Sequence, residues 1–272
     1  MMKRSEVMKP KLWLTVDSDD IRHIPRHQGH PKRSKKKLAE PYQVSEPSPD
    51  LLLGMKGFSK WIDDGGSATL FVIAEQLESP EFSKWLEELL LTERILIACH
   101  GLSHRSWSAW GEDTEGFSHA LADATLRLKE FGGKHWRPWF RAPAGYIAPW
   151  MAEVLAVHGY RVDSSVNESW LTRRKTGPLN SWAAVKTAVK EAGIVEREWL
   201  INREFGVKFP VCGPALHIPL LKTISKRSWR SVSLLEKAHP IEVENADCDV
   251  VTVYWHILDH ARKKGDWTPP FV

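Results

Sequence analysis

Two histidines and a run of aspartates are the residues whose types and spacing could do chemistry in this sequence. His100 and His104 follow the apolar run Ile95–Cys99, and another apolar run, from Leu12, ends in the acidic segment Asp17–Asp20. Two imidazoles and a carboxylate can hold one divalent metal ion and leave positions open for water or substrate. Three His-x-x-x-His pairs occur, but only this one follows a predicted buried strand and lies in a Gly/Ser-containing turn. The pattern therefore indicates a metal site.

Bulk composition limits the class of protein. The chain has 272 residues, of which 42% are hydrophobic and 26% charged. We expect one domain over residues 1–272, because α/β barrels of this length are often single domains. No apolar run reaches about 18 residues, so no transmembrane segment is predicted, and residues 1–10 lack the apolar centre of a signal peptide. Three scattered cysteines make neither a disulfide framework nor a Cys-x-x-Cys site, which favours a cytoplasmic location.

The positive charge of the chain is local. The formal net charge is +4, and residues 22–37 contain seven Lys/Arg and no Asp or Glu. Because the remainder is slightly acidic, nucleic-acid binding is not favoured. This run belongs to a long predicted loop, 21–50, that has no apolar period and is inserted after the first strand. We expect its His23, His27, His30 and the cluster 32–37 to help capture an anionic part of a substrate.

Strand and helix patterns alternate along the chain, which favours a parallel α/β sheet or barrel. Strands are predicted over Leu12–Asp17, Ala68–Ala74, Arg94–Cys99, Trp139–Arg141, Tyr160–Val166, Leu216–Leu221 and Asp249–Trp255. Helices are predicted over Leu51–Asp63, after Ser79, through the stripe from Phe117 to Phe131, and over Pro149–His158 and Ser181–Ala192.

Acids, histidines and one arginine gather at the ends of these strands. Each of Asp17, Asp19, His100, His104, Arg141, Asp163 and His256 lies at or just beyond the C-terminal end of a predicted strand. In barrels and open parallel sheets, sites are built at that edge. The placement of all these residues at the same edge is stronger evidence for one functional site than any single His-x-x-x-His pair is.

Five segments resemble the motifs of the polysaccharide deacetylase family (the NodB-homology domain, carbohydrate esterase family 4), in order. They are Thr15-Val-Asp17-Ser-Asp19, His100-Gly-Leu-Ser-His104, Arg141-Ala-Pro-Ala-Gly145-Tyr146, Asp163 through Trp170, and Val253-Tyr-Trp-His256. The resemblance implies a distorted, TIM-like (β/α) barrel with fewer than eight regular strands. It also implies metal-dependent hydrolysis of an N-acyl group, usually acetyl, on a sugar.

The resemblance also assigns roles. Asp19, His100 and His104 would bind the metal, Asp17 would be the general base, and His256 would be the general acid. Arg141 would orient the base, and Asp163 would hold His256 in position and favour its protonated form. The backbone N–H of Gly145 or Tyr146 would complete an oxyanion hole, and Trp170 would wall the acyl pocket.

The first motif departs from the commonest family form, because Ser18 stands where a second, adjacent acid is usual. Residues two apart on a strand point to one face, so Asp17 and Asp19 can both face the site. If Asp19 is not aligned with the metal-binding acid of the motif, either Asp20 or no acid completes the metal site.

Several alternatives stay open on the sequence. A non-haem iron oxygenase also uses two His and one carboxylate, but with His-x-Asp first and a β-rich fold. A non-catalytic carbohydrate-binding descendant, a deformylase or a non-sugar amidase could share the scaffold. Zinc is the default metal for a His₂-carboxylate hydrolase, with cobalt, nickel, iron and manganese as alternatives. The substrate expected is a sugar or sugar precursor, for example in surface polysaccharide (O-antigen, lipopolysaccharide) synthesis. The sugar, the acyl group and the oligomeric state are not determined.

Overall fold

A computed structural model describes residues 9–24, 27, 30–33, 46–204 and 206–270. Its strands are Lys11–Asp17 (β1), Ala68–Val72 (β2), Ile95–Cys99 (β3), Trp136–Phe140 (β4), Val162–Asp163 (β5), Val195–Glu196 (β6), Ile201–Glu204 (β7), Val207–Pro210 (β8) and Val250–His256 (β9). Seven of them form one sheet, in the order β6-β5-β4-β3-β2-β1-β9, and every pairing in it is parallel. β7 and β8 form a separate antiparallel hairpin.

The register of the sheet brings the catalytic candidates together. β1 pairs with β9 so that Asp17 stands beside His256, and with β2 so that Asp17 also stands beside Phe71. β3 ends next to β4, where Cys99 pairs with Phe140, so His100 and Arg141 leave the sheet side by side. Because all these strands run the same way, their C-terminal ends share one edge.

The sheet curls into an incomplete barrel. Beyond β6 the chain continues to Trp199, whose N–H donates to the carbonyl of Val166, and to Leu200, whose N–H donates to Thr252 of β9. This irregular segment bridges the two edges of the sheet. The predicted distorted (β/α) barrel with fewer than eight regular strands is confirmed.

Helices cover the outside of the sheet. They are Pro49–Asp63 (α1), Pro80–Leu90 (α2), Thr114–Gly132 (α3), Pro149–Val157 (α4), Trp182–Glu191 (α5), Pro219–Val232 (α6) and Pro240–Glu244 (α7). Ser48 and Ser79 cap α1 and α2 by accepting a backbone N–H, and each cap is followed by Pro at the first helical position. The apolar stripe of α3 is buried as predicted, and burying each large apolar side chain contributes about 1.5–3 kcal/mol.

Helix α1 also supports the turn that follows β9. A Cβ on Gly54 would lie 2.6 Å from the carbonyl oxygen of Ile257, so only glycine lets the helix approach the backbone this closely. The turn that begins at His256 is therefore held from outside by a helix.

Two sequence predictions about elements are wrong. Leu216–Leu221 is not a strand, because a short 3-10 turn ends at Leu216 and α6 begins at Pro219. Pro219 signals the start of a helix, because proline fixes a helical φ and suits the first helical position. The prediction gave more weight to the apolar residues around it. The strand expected over Tyr160–Val166 shrinks to β5, since Ser164 and Ser165 already turn toward the site.

Within the described residues, no helix is long and apolar enough to cross a bilayer. The single domain over residues 1–272 stays a prediction.

Candidate metal centre and active site

Three side chains converge at the C-terminal edge of the sheet. The Asp19 carboxylate lies 2.5 Å from His104 Nε2 and 3.5 Å from His100 Nε2. One nitrogen or oxygen of each residue lies within 4.8 Å of the others, and all three residues are buried. Burial opposes ionisation of Asp19, but the two imidazoles outweigh it and hold its pKa well below the usual value. Asp19 therefore meets the histidines as a carboxylate.

The histidines present the nitrogens that a metal needs. His100 Nδ1 donates to the carbonyl oxygen of Arg141 at 2.8 Å, which leaves the lone pair on Nε2. His104 has a φ of +58°, rare for a residue with a side chain, and this conformation turns its ring back toward His100. Burial lowers the pKa of His104, which favours the neutral, ligating form.

The chemistry of this donor set fits a divalent cation. Nε2 of His100 and Nε2 of His104 are buried and face the Asp19 carboxylate at 3.5 and 2.5 Å, but neither makes a hydrogen bond of regular geometry with any described residue, a state that is uncommon for buried nitrogens. Two imidazole nitrogens and one carboxylate are a ligand set that zinc accepts in hydrolases, with a further position for water.

The acids beside Asp19 have other partners. Asp20 caps a short turn by accepting the N–H of Ile21, and it also accepts the N–H and hydroxyl of Ser48. Ser18 accepts the N–H of Ile73 and bonds to Gln76. Asp20 thus ties the first loop to α1, and Asp19 is the acid that faces the histidines.

Asp17 is held by a fully buried arginine. Arg141 Nη1 donates to Asp17 Oδ1 at 2.6 Å, while Nη2 donates to Thr15 and Ser164 and Nε donates to the Ser164 carbonyl. Asp17 Oδ2 stays on the side of the metal cluster, 3.9 Å from His100 Nε2. The arrangement leaves one oxygen of a rigidly held carboxylate to accept a proton.

His256 has a different acidic partner from the predicted one. Its Nδ1 lies 3.5 Å from Asp259 Oδ2, and its Nε2 lies 3.7 Å from Asp19. Burial alone lowers the pKa of His256, but the bond to Asp259 and the nearby carboxylates outweigh it and raise the pKa to about 9. Asp259 also lies 2.7 Å from Nε2 of His217. The carboxylate that contacts His256, the predicted acid, is therefore Asp259.

Asp163, expected beside His256, serves the other side of the site. It accepts the hydroxyl of Ser165 at 2.6 Å, and that hydroxyl in turn accepts the N–H of Ala142 at 2.8 Å. Asp163 also pairs with Glu196 across β5 and β6, and burial together with the charge of Asp163 raises the pKa of Glu196 well above its usual value. The predicted contact with His256 was wrong, since Asp163 fixes the backbone that follows Arg141.

The turn at Gly145 and Tyr146 corrects a second expectation. The N–H of Gly145 donates to Ala142 at 2.7 Å and that of Tyr146 donates to Pro143 at 3.1 Å. Both donors are used inside their own 3-10 turn, so neither is a free oxyanion donor. The turn still lines the cavity, and Gly145 lies against Trp199.

A cavity of about 960 Å³ opens over these residues. Asp17, Asp19, His100, His104 and His256 all line it. Trp170, expected at the acyl pocket, is 53% exposed and is not among the described lining residues. Trp199 takes that place instead and packs on Tyr254 with ring centroids 4.3 Å apart.

The basic loop contributes His23 and Arg33 to the described part of the cavity. His23 is buried and accepts the N–H of Asp20, and His30 is buried with its ring 5.2 Å from that of Tyr146. Arg33 lines the cavity. Residues 34–45, including Lys35–Lys37, lie outside the described residues, so their capture of an anion stays a prediction.

Several site residues escaped the sequence analysis. Asp259 carried a usable signal, because it follows His256 by three residues, the spacing of one turn. Trp199, Glu196 and His217 lie in a region without a readable period, and only the three-dimensional closure of the barrel brings them to the site.

The fold and the site together define a (β/α) barrel with a buried Asp–His–His cluster at its C-terminal edge. Comparison with known proteins then shows what the chain is similar to. The polysaccharide deacetylase model matches residues 63–162, a range that includes His100, His104 and Arg141. The resemblance to polysaccharide deacetylases is thereby confirmed, although no curated protein matches the sequence.

One solved structure shows a similar fold, and two others are more distant matches. A Mycobacterium smegmatis protein classed with the polysaccharide deacetylases has a TM-score of 0.52 at 15% identity, covering 94% of this chain and 79% of its own. A family 4 carbohydrate esterase from Streptomyces lividans has a TM-score of 0.40 at 12% identity, with coverages of 96% and 82%. The polysaccharide deacetylase Bc1974 from Bacillus cereus has a TM-score of 0.41 at 11% identity, with coverages of 95% and 84%.

Proposed function

We propose that this protein is a metal-dependent N-deacylase that removes a short acyl group, in the first place acetyl, from an amino sugar or a sugar-containing precursor. The observation that carries the proposal is the convergence of the buried Nε2 atoms of His100 and His104 on the Asp19 carboxylate, with one possible ligand atom of each residue within 4.8 Å of the others. Zinc is the metal expected for this ligand set.

The side chains around the cluster supply the proton transfers of amide hydrolysis. A bound divalent metal would act as a Lewis acid and lower the pKa of water. Asp17 Oδ2 accepts the proton of the attacking water, because Arg141 fixes the other oxygen. His256 donates a proton to the departing amine from Nε2, while Asp259 holds Nδ1.

A surface-polysaccharide precursor made in the cytoplasm is the biological setting that we propose for this reaction. The three cysteines are free and buried, which suits a reducing compartment. An anionic group on the sugar fits the cations that line the cavity, which include Arg33, Lys175 and Arg262.

Metal analysis of the purified protein tests the proposal. We expect about one metal per chain in the wild type, loss of metal in Asp19→Ala and His100→Ala, and retention in the matched control His119→Ala, whose side chain is exposed on α3. Acetate or formate release from N-acetyl and N-formyl sugars then identifies the acyl group. A protein that takes up neither zinc nor cobalt would refute the proposal, and metal binding with no release from any amide would favour a binding role.

A further inference from the structure

A second cavity adjoins the catalytic one. It has a volume of about 440 Å³ and lies between α6 and the segment 262–270. His217 and Arg262 line both cavities. We call this second cavity the basic groove, after the charge of its walls.

Five cations line the basic groove: Lys222, Lys226, Arg230, Arg262 and Lys263. Of the described residues that line it, none is Asp or Glu. Lys222, Lys226 and Arg230 are four residues apart on α6 and therefore share one face of the helix, where their like charges repel one another. A concentration of charge of this kind is relieved when an anion binds.

Most of these cations have no internal counter-charge. Arg262 has Asp259 at 3.5 Å, but the other four form no ion pair with any residue in the described ranges. On the same helix, Arg227 points away from the groove and is paired with Glu204. On α6, the positive charge of Arg227 is therefore neutralised by an acid, whereas the positive charges that line the groove are not.

The groove lies on the side of the site where the amine departs. His256 contacts Asp259, Asp259 contacts His217, and His217 stands at the boundary of the two cavities. Because His217 and Arg262 line both cavities, a substituent on a sugar held in the catalytic cavity has a continuous path into the groove. Trp267, whose ring lies 5.7 Å from that of His217, offers an apolar wall beside the cations.

We propose that the basic groove binds a phosphate or diphosphate ester carried by the sugar part of the substrate. This inference rests on the proposed N-deacylase function. Phosphate oxygens accept charge-assisted hydrogen bonds from several Lys and Arg side chains at once. A nucleotide-linked sugar and a lipid-linked sugar both carry this ester.

The test compares two double variants that remove equal charge. Lys226→Gln/Arg230→Gln changes the groove, and Lys84→Gln/Lys129→Gln changes two exposed lysines on α2 and α3 that have no ion pair in the described structure. Binding of uridine diphosphate and of geranyl diphosphate is measured by calorimetry with the metal-loaded proteins. The ratio of kcat/KM for N-acetylglucosamine 1-phosphate to that for N-acetylglucosamine is measured alongside.

We expect the groove variant to bind the diphosphates about ten- to a hundredfold more weakly than the wild type, and to lose its preference for the phosphorylated sugar. The control variant keeps both properties. Tight binding of uridine diphosphate alone assigns a nucleotide-linked substrate, and tight binding of geranyl diphosphate alone assigns a lipid-linked one. Equal binding by all three proteins, or no binding by any, overturns the inference.

The calorimetric measurement separates this inference from the proposed function. If no sugar is deacylated but diphosphate binding depends on Lys226 and Arg230, the N-deacylase proposal fails and the anion site stands. If neutral N-acetyl sugars are deacylated and the groove variant binds like the wild type, the anion site fails and the N-deacylase stands.

Discussion

Replacing Asp259 with asparagine tests which carboxylate supports the acid His256. Asp259 accepts the backbone N–H of His256 at 3.0 Å and lies 3.5 Å from its Nδ1. Asparagine keeps the size of the side chain but removes the charge that favours the protonated imidazole. A hydrogen bond to a charged group contributes about 1.5–3 kcal/mol, and about 1.4 kcal/mol corresponds to a factor of ten. We therefore expect kcat to fall about ten- to a hundredfold.

The assay is steady-state release of acetate, with metal content measured on the same samples. Asp259 is not one of the three residues of the metal cluster, so metal content is expected to stay unchanged. Asp163→Asn is the matched control, because it replaces the carboxylate that bonds to Ser165. We expect it to lower kcat much less. If Asp163→Asn proved as damaging as Asp259→Asn, or if Asp259→Asn kept full activity, the orientation of His256 by Asp259 would be refuted.

Three further outcomes are expected. Asp20→Ala should lower the thermal midpoint, because it removes the cap on Ile21 and the bonds to Ser48, a loss of about 0.5–2 kcal/mol. Metal content should stay unchanged, and loss of metal would make Asp20 a ligand. The raised pKa of buried Glu196 keeps the folded group protonated above pH 4.5, where the unfolded chain releases the proton, so stability falls as pH rises above about 4.5. Glu196→Gln should flatten that fall in thermal melts, and parallel curves for the two proteins would contradict the raised pKa of Glu196. Gly145→Ala should destabilise the fold by about 1–3 kcal/mol, because φ is +71° and the new Cβ would lie 2.8 Å from Trp199; unchanged denaturant midpoints would count against this packing.

Much of the site could be predicted because parallel strands place their ends at one edge. Asp17, His100, Arg141 and His256 each follow a short apolar run, and the register of β1, β3, β4 and β9 does bring them together. Residues two apart on a strand share a face, and Asp19 does face the histidines. Local pattern was sufficient here because each side chain is positioned by its own strand.

The sequence predicted the wrong hydrogen-bond partner where the conformation of a turn determines which groups meet. Asp163 and Asp259 both follow strands, and the sequence does not show which carboxylate swings toward His256. The turn after β9 folds back within three residues and offers Asp259 to the N–H of His256, whereas Asp163 is bound by Ser165. The oxyanion expectation failed for a similar reason, since the turn at Gly145 satisfies its own donors.

The two halves of the site differ in how tightly they are enclosed, and this difference constrains the substrate. The side chain of Asp17 is 4% exposed and is bound by Arg141, while that of His256 is 22% exposed. In amide hydrolysis the acyl carbon must lie near the base and the amine near the acid. Under the proposed function, we therefore expect the enclosed side, where Trp199 packs against Gly145, to admit only a small acyl group. The open side has room for a sugar with a bulky substituent, so we expect chain length in the acyl group to reduce turnover far more than added mass on the sugar.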